Sequence, residues 1–282
     1  MADGRQLARL RALAAEVACE WGLELGPAFP LSRYSYVAPA GDGMVLKVTP
    51  AEDDESDQES DALALWAGDG AVRLLRSDRP RRALLLERAW PGDDLSTLPE
   101  RRATDLAVAV GVRLWRPAGG QFRWIGDHVP GWLERASPTS AAGCELLTAA
   151  RRLYDPERVG RTTLVHGDLH HHNILDAGGR HVAIDPKPMA GEPEFDVASF
   201  LWNPLGSTIT RERTEQRLDA FAAAGLDQQR MRRWAVIRGA YLGVNAGAAR
   251  LLLSLPDTPP ARRPTGTGSR RAPARARAPR AD

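Results

Sequence analysis

Residues Leu164–Leu175 read LVHGDLHHHNIL, and two chemistries compete for them. Four of the six histidines lie between His166 and His172, so a zinc site is the first reading to test. Neighbouring side chains on a loop or strand diverge, which makes His170, His171 and His172 a poor three-ligand set. Tetrahedral zinc also needs a fourth ligand, and no cysteine is near enough to supply it. The second reading takes His166-Gly-Asp168, then Asn173, then Asp185 beyond the hairpin NILDAGGRHVAID. An Asp and an Asn five residues apart on a tight loop can point into one cleft, where a second Asp at the end of the next hairpin can join them.

That trio suits phosphoryl transfer, which needs a carboxylate to orient the attacking hydroxyl and oxygen ligands for magnesium on the nucleotide. Asp, Asn and Asp in this order form the protein-kinase arrangement. It makes a demand upstream: a lysine on a strand of an N-terminal β-lobe, and a helix carrying a glutamate to hold it. MVLKV supplies Lys47 on an apolar strand. The acidic segment DDESDQESDALALWAG supplies Glu59, with Glu55 one turn earlier as the alternative. Only two of the 38 basic residues are lysine, Lys47 and Lys187. A chain this biased toward arginine keeps lysine where a compact ammonium is needed that a planar fork cannot replace.

Composition bounds the rest. With 282 residues, 43% hydrophobic and 26% charged, the chain is an ordinary globular one able to bury a real core. It has no apolar run near the roughly 18 to 20 residues of a membrane helix and no secretion signal, and Cys19 and Cys144 are too isolated for a disulfide framework. The expectation is a cytoplasmic protein with no membrane and no nucleic-acid partner, acting as a monomer. The net charge of +2 hides a division: residues 256–282 carry seven Arg against two acids, leaving the body near −3. That Pro/Arg-rich tail cannot bury enough surface to fold and is expected to be disordered.

The order of elements fits two lobes. After a leading helix, YSYVAPAGDGMVLKV reads as a hairpin, followed by an acid-started helix ending at Gly68–Gly70, and then AVRLLRS and RALLLERA as a second strand pair. ERRATDLAVAVGVRLW and GCELLTAARRLY have helical periodicity, TTLVH is a short strand, and helices over 211–224 and 227–253 close the chain. The division is a nucleotide-binding lobe over 1–88, a catalytic and substrate lobe over 89–255, and the tail.

LVHGDLHHHNIL, VAIDPKPMAGEPEFDVASFLWNP, GDGAVRLL and ALLLERA together resemble the aminoglycoside phosphotransferase family, in its streptomycin 6-kinase and hydroxyurea kinase branch, over roughly Tyr34 to Leu255. The resemblance implies an α+β, bilobal, protein-kinase-like fold with a small β-rich N-lobe and a larger helical C-lobe. It implies ATP- and Mg2+-dependent transfer of the γ-phosphoryl group to a hydroxyl of an aminoglycoside, streptomycin first, which inactivates the antibiotic. Another hydroxylated metabolite, or a nucleotide-binding protein without turnover, are the alternatives. Carried over by residue, Asp168 is the catalytic carboxylate and Asn173 and Asp185 bind magnesium. Lys47 contacts the α and β phosphates, with Glu59 paired to it. Leu86, Glu87 and Ala89 belong to the hinge that holds adenine, and Asp196 braces the catalytic loop. Where the family's phosphate-covering loop should lie, FPLSRYSYVAPAG has no glycine between the strands, only Ser32 and Ser35, whose hydroxyls and backbone N–H groups can hold the nucleotide's phosphates instead. For a polycationic acceptor, Glu192, Glu194 and Asp196 are candidates, against the plainer reading that they start a helix near Pro193; Trp202 and Asn203 could line the same wall.

Overall fold

The computed structural model describes residues 4–30, 34–204, 208–243, 250, 251, 253 and 254. Ser32 and the tail over 256–282 lie outside the described residues, as does part of the expected final helix. Alternating burial in the first third builds a four-stranded antiparallel sheet of β1 (Tyr36–Pro39), β2 (Met44–Val48), β3 (Leu74–Asp78) and β4 (Ala83–Glu87), in the order β1-β2-β4-β3. The glycine-rich turn AGDG closes the β1–β2 hairpin, with Gly41 and Gly43 at φ +69° and +70°. In β2, Leu46 and Val48 are wholly buried and pack under α1 (Gly4–Trp21), whose Leu10, Ala14, Val17 and Ala18 complete the N-lobe core.

Register places Lys47 opposite Leu84 of β4 and Val37 of β1. Residues 23–30 run beside β1 through Gly26 N–H to Pro39 O (2.9 Å) and Phe29 N–H to Val37 O (2.8 Å). The acidic segment behaves in two parts. Asp54–Ser56 form one 3-10 turn, and α2 begins only at Glu59 and runs to Trp66. The helix stops where Ala67 and Gly68 take positive φ.

The C-lobe holds α3 (Glu100–Leu114), α4 (Ile125–Arg135), α5 (Ala141–Leu153), α6 (Glu194–Trp202), α7 (Arg211–Ala223) and α8 (Gln228–Leu242). A small sheet, β5 (Arg116–Pro117), β6 (Thr163–Val165) and β9 (Met189–Gly191), and the hairpin β7 (Ile174–Asp176) and β8 (His181–Ala183) carry the loops of the site. Helix α4 is absent from the sequence pattern because Pro130 and two glycines interrupt IGDHVPGWLER. Burial of Ile125, Val129 and Leu133 holds it nonetheless, tertiary packing overriding weak local propensity. Helix α8 ends at Leu242 rather than near 253, since Gly243 adopts φ +66° and caps it. The α+β, bilobal, kinase-like architecture is thus present. Trp66 of α2 pins the lobes, its indole donating to Leu114 O at 2.8 Å from a fully buried position.

Candidate active site

Strand β6 delivers His166, Gly167 and Asp168 to the mouth of the cleft, and the hairpin β7–β8 returns the chain to Asp185. His166 is fully buried and ties both ends together: its Nδ1 accepts from Asp168 N–H (3.2 Å) and its Nε2 donates to Ile184 O (3.0 Å). Those two bonds fix a neutral tautomer, and burial lowers the imidazole to about 4. Asn173 Nδ2 donates to Asp168 O (3.0 Å), while Asn173 O accepts from Ile184 N–H (3.0 Å). The trio of Asp168, Asn173 and Asp185 therefore belongs to one hydrogen-bonded assembly.

Opposite it stands Lys47. Its ammonium lies 2.7 Å from each oxygen of Glu59 and 2.5 Å from Asp185 Oδ1. Glu59 is 2% exposed, so the structure chooses it over Glu55 as the partner of the lysine. Burial alone would lower Lys47, yet Asp185 and Glu59 raise it above the usual lysine range and keep it charged. Asp185 sits in the left-handed region at φ +54°, a conformation that costs a non-glycine residue on the order of 1 kcal/mol and recurs at functional positions. Burial works against its charge, but Lys47 and Lys187 hold its carboxyl well below the usual range.

Asp168 is similarly held down: burial opposes ionisation, and His170 (Nε2 to Oδ2, 3.4 Å), Arg238 (3.6 Å) and the Ser199 hydroxyl (2.9 Å) more than offset it. Beneath the loop, Asp196 is wholly buried and accepts from Gly167 N–H (2.7 Å), His166 N–H (2.8 Å) and the Trp115 indole (3.0 Å). Arg238 closes the floor by donating to Gly167 O at 2.5 Å. Two carboxylate bonds and one guanidinium bond on two consecutive residues leave the loop little freedom.

The three consecutive histidines part company, as the zinc argument requires. His170 faces Asp168, His171 is buried and stacked on Phe200 (4.1 Å between centroids), and His172 reaches Asp94 at 2.7 Å. Among the described residues no three His, Cys, Asp or Glu side chains are grouped to hold a metal ion. The Asp185 carboxylate and the side-chain amide oxygen of Asn173 still fit magnesium, which commonly takes only one or two protein oxygens and fills its shell with water and phosphate.

Other expectations are redistributed. Glu192 is spent on Arg230 and the Trp234 indole, and Glu194 accepts from Asp227 N–H (3.1 Å), so both acids dock α8 on α6 rather than facing an acceptor. Trp202 is 3% exposed and belongs to the core, with Asn203 bonded back to Ser199 O. Ser35 is buried with its hydroxyl 3.3 Å from Thr49 Oγ1. At the hinge, Leu86 is buried opposite Val45, Glu87 binds Arg180 (2.8 Å), and Ala89 N–H takes no partner among the described residues. Sequence reasoning missed Ser199 and Arg238. Ser199 follows Asp196 by three residues on α6, so the two face the loop together, a signal readable once Asp196 is placed. Arg238 gives no local signal, being one of 36 arginines.

Residues 31–249 match the family described as aminoglycoside/hydroxyurea antibiotic resistance kinase. The chain is 35% identical to a hydroxyurea phosphotransferase of Kitasatospora aureofaciens, over 84% of this chain and 73% of that one. It is 32% identical to a streptomycin 6-kinase of Streptomyces glaucescens, over 87% of this chain and 86% of that one. Among solved structures, an aminoglycoside phosphotransferase in ternary complex with ADP and hygromycin B superposes with a TM-score of 0.55 at 20% identity, covering 86% of this chain and 95% of that one.

Proposed function

This chain belongs to the aminoglycoside/hydroxyurea antibiotic resistance kinase family and is a small-molecule kinase, and on that premise we propose that it transfers the γ-phosphoryl group of ATP to a hydroxyl of an aminoglycoside, streptomycin first. The observation that carries the site assignment is the Lys47 ammonium held between Glu59 and Asp185 at 2.5 to 2.7 Å, across from the Asp168 loop. In kinase chemistry that ion pair and that aspartate must both be in place before phosphates can be positioned.

Residues 1–88 serve as the nucleotide-binding lobe and 89–255 as the catalytic and substrate lobe, in a cytoplasmic monomer. Lys47 binds the α and β phosphates, and the strand end at Leu86, Glu87 and Ala89 receives adenine, the Ala89 N–H being the donor available to it. Asp185 and Asn173 hold Mg2+, which when bound neutralises charge on the phosphates. Asp168 accepts the acceptor's hydrogen bond and aims its oxygen at phosphorus, taking the proton late in the transfer. Its depressed pKa suits orientation better than early proton abstraction, as a loose transition state allows. Asp196 and Arg238 keep the loop that carries it from moving.

For the acceptor, the rings of Tyr241, Trp132 and His128 stand in series with centroids 5.0 and 5.7 Å apart. Burial pushes the Tyr241 phenol up to about 12, and it lies within electrostatic reach of Arg238, Glu55 and Asp168. An aromatic row with a carboxylate beside it suits a guanidinium-bearing sugar. Hydroxyurea is the second reading, favoured by the 35% identical relative. Purified protein, Mg-ATP and each compound separately, with mass analysis of the product, tests both. One added phosphate on streptomycin supports the first reading, transfer to hydroxyurea alone replaces it with the second, and transfer to neither defeats both.

A further inference from the structure

The chain's only two lysines, far apart in sequence, meet at one oxygen atom. Nζ of Lys47 is 2.5 Å from Asp185 Oδ1 and Nζ of Lys187 is 3.6 Å from the same atom. Every other basic residue is an arginine. The two ammoniums differ in how fully they are engaged. Lys47 has three contacts at 2.7 Å or less. Lys187 has one hydrogen bond among the described residues, to Ser56 Oγ at 2.9 Å, with Asp53 at 3.7 Å and Asp185 at 3.6 Å as longer ion pairs. An ammonium has three donors, so Lys187 has capacity left for a ligand.

Its backbone, by contrast, is fixed. Lys187 N–H donates to His166 O at 2.7 Å, and the Lys187 carbonyl oxygen lies only 1.9 Å from where a side chain at Gly167 would begin. Gly167, at φ +85°, is thus required to be glycine, and Lys187 moves as one body with the loop that carries Asp168. From that base the side chain crosses the cleft to the turn before α2.

We propose that Lys187 is a further catalytic residue, a second phosphate-binding cation whose ammonium contacts the transferring γ-phosphoryl oxygens. The proposal rests on the kinase reading of the same site and adds a role to a residue that reading leaves idle. In the transfer, the bond from acceptor oxygen to phosphorus forms and the bond from phosphorus to the β–γ bridging oxygen breaks, its electron pair staying on the nucleoside diphosphate. The acceptor's proton goes to Asp168 and then to solvent. Lys187 remains an ammonium throughout, opposing the charge shared by the phosphoryl and bridging oxygens. It makes good what a loop without glycine gives up, since close approach of backbone N–H groups to phosphate is what glycine there permits. A compact ammonium fits this task where a longer planar fork would collide with Ser56 and Asp53.

The test is calorimetric binding of Mg-ADP and of a non-hydrolysable ATP analogue, with no acceptor present, to the full chain and to its Lys187→Ala, Lys187→Gln, Lys187→Arg and Ser56→Ala variants. Loss of a charge-assisted contact to the γ-phosphate weakens the analogue about tenfold in Lys187→Ala and Lys187→Gln and ADP less than twofold. Turnover with whichever acceptor the mass analysis identifies falls by roughly 10² to 10³ in both, as for removal of one transition-state donor, and Lys187→Arg restores little of it. Equal weakening of ADP and analogue, or a Ser56→Ala variant that reproduces the whole effect, would assign Lys187 to bridging the lobes and overturn the proposal. Because the binding arm needs no acceptor, a wrong acceptor leaves it intact, whereas wild-type protein that binds neither nucleotide overturns this proposal and the kinase reading together.

Discussion

Two clusters of charge in this protein use the same side-chain types to opposite ends. Around Arg217, 2% exposed, the guanidinium donates to both oxygens of Glu100 (2.5 and 3.0 Å) and to the carbonyls of Phe200 (2.6 Å) and Asn203 (2.7 Å). It also reaches His171 at 3.3 Å and lies over the Phe200 ring. Arg213 adds a further contact to Glu100 at 2.5 Å. Around Asp185, two ammoniums converge on one carboxylate oxygen, the side chain is 42% exposed, and the backbone is left-handed. In the first cluster each nitrogen of the Arg217 guanidinium ends on a fixed acceptor. That locks α3, α6 and α7 together and leaves nothing for a ligand. In the second, the Lys187 ammonium has one short hydrogen bond among the described residues and its carboxylates only at 3.6 and 3.7 Å, which leaves donors that a phosphate can take. Saturation separates a structural ion cluster from a binding one.

The contrast can be broken by substitution, beginning with the largest effect. Asp168→Ala should lower turnover by roughly 10³, within the range for a lost general base, while calorimetry finds nucleotide binding and Tm little changed. A variant with normal turnover would remove Asp168 from the chemistry. Acid should come next. His166 and His171 are lowered to about 4 and about 3 by burial, so both are neutral when folded while the unfolded chain protonates them below about 6.5. Stability present above pH 6.5 is then lost as pH falls toward 4, by about 3 kcal/mol for a shift of this size at His166. The depressed carboxylates Asp168 and Asp185 add their loss only below their ordinary range, near pH 4. Chemical denaturation at pH 7, 5.5 and 4.5 reads the slope, and His171→Gln should flatten it; an unchanged slope would mean that the saturated cluster does not hold this histidine neutral.

Arg217→Met should cost about 3 kcal/mol by leaving the Phe200 and Asn203 carbonyls without their donor and Glu100 with Arg213 alone, seen as a lower Tm, with turnover per folded molecule within about twofold. Lys47→Arg keeps the charge yet should raise the nucleotide KM and cut turnover by about tenfold or more, because a fork cannot meet Glu59 and Asp185 as a point charge does. Identical kinetics for that variant would place the phosphates elsewhere. Ser199→Ala, which removes one hydrogen bond to Asp168, should lower turnover by only about three- to tenfold, in line with about 1 kcal/mol.

The local signals that could be read early share one property: each is a short-range pattern of residue type. HGD followed by N, a lysine in an apolar strand and a second Asp after a Gly-Gly turn are set by what the loop and hairpin must do on their own. Glu192 and Glu194 stayed open between two readings because a carboxylate near the Asp168 loop looks the same in sequence whether it faces substrate or an arginine on a helix still to come. Arg230 and Asp227, which claim them, lie more than 30 residues downstream. The helix over 125–135 was hidden by its own proline and glycines, which weaken local propensity without preventing burial.

Residue identity alone therefore indicated the lobed order of strands and helices, named Asp168, Asn173, Asp185 and Lys47 as site candidates with Glu59 or Glu55 beside the lysine, and argued against zinc at three adjacent imidazoles. Folding alone decided which glutamate meets the lysine, that Ser199 and Arg238 hold the Asp168 carboxylate, and that the chain's two lysines share one oxygen. Such pairings depend on distances between segments remote in the chain. Those distances are set by how apolar surfaces pack against one another, and a linear string of side chains does not carry them.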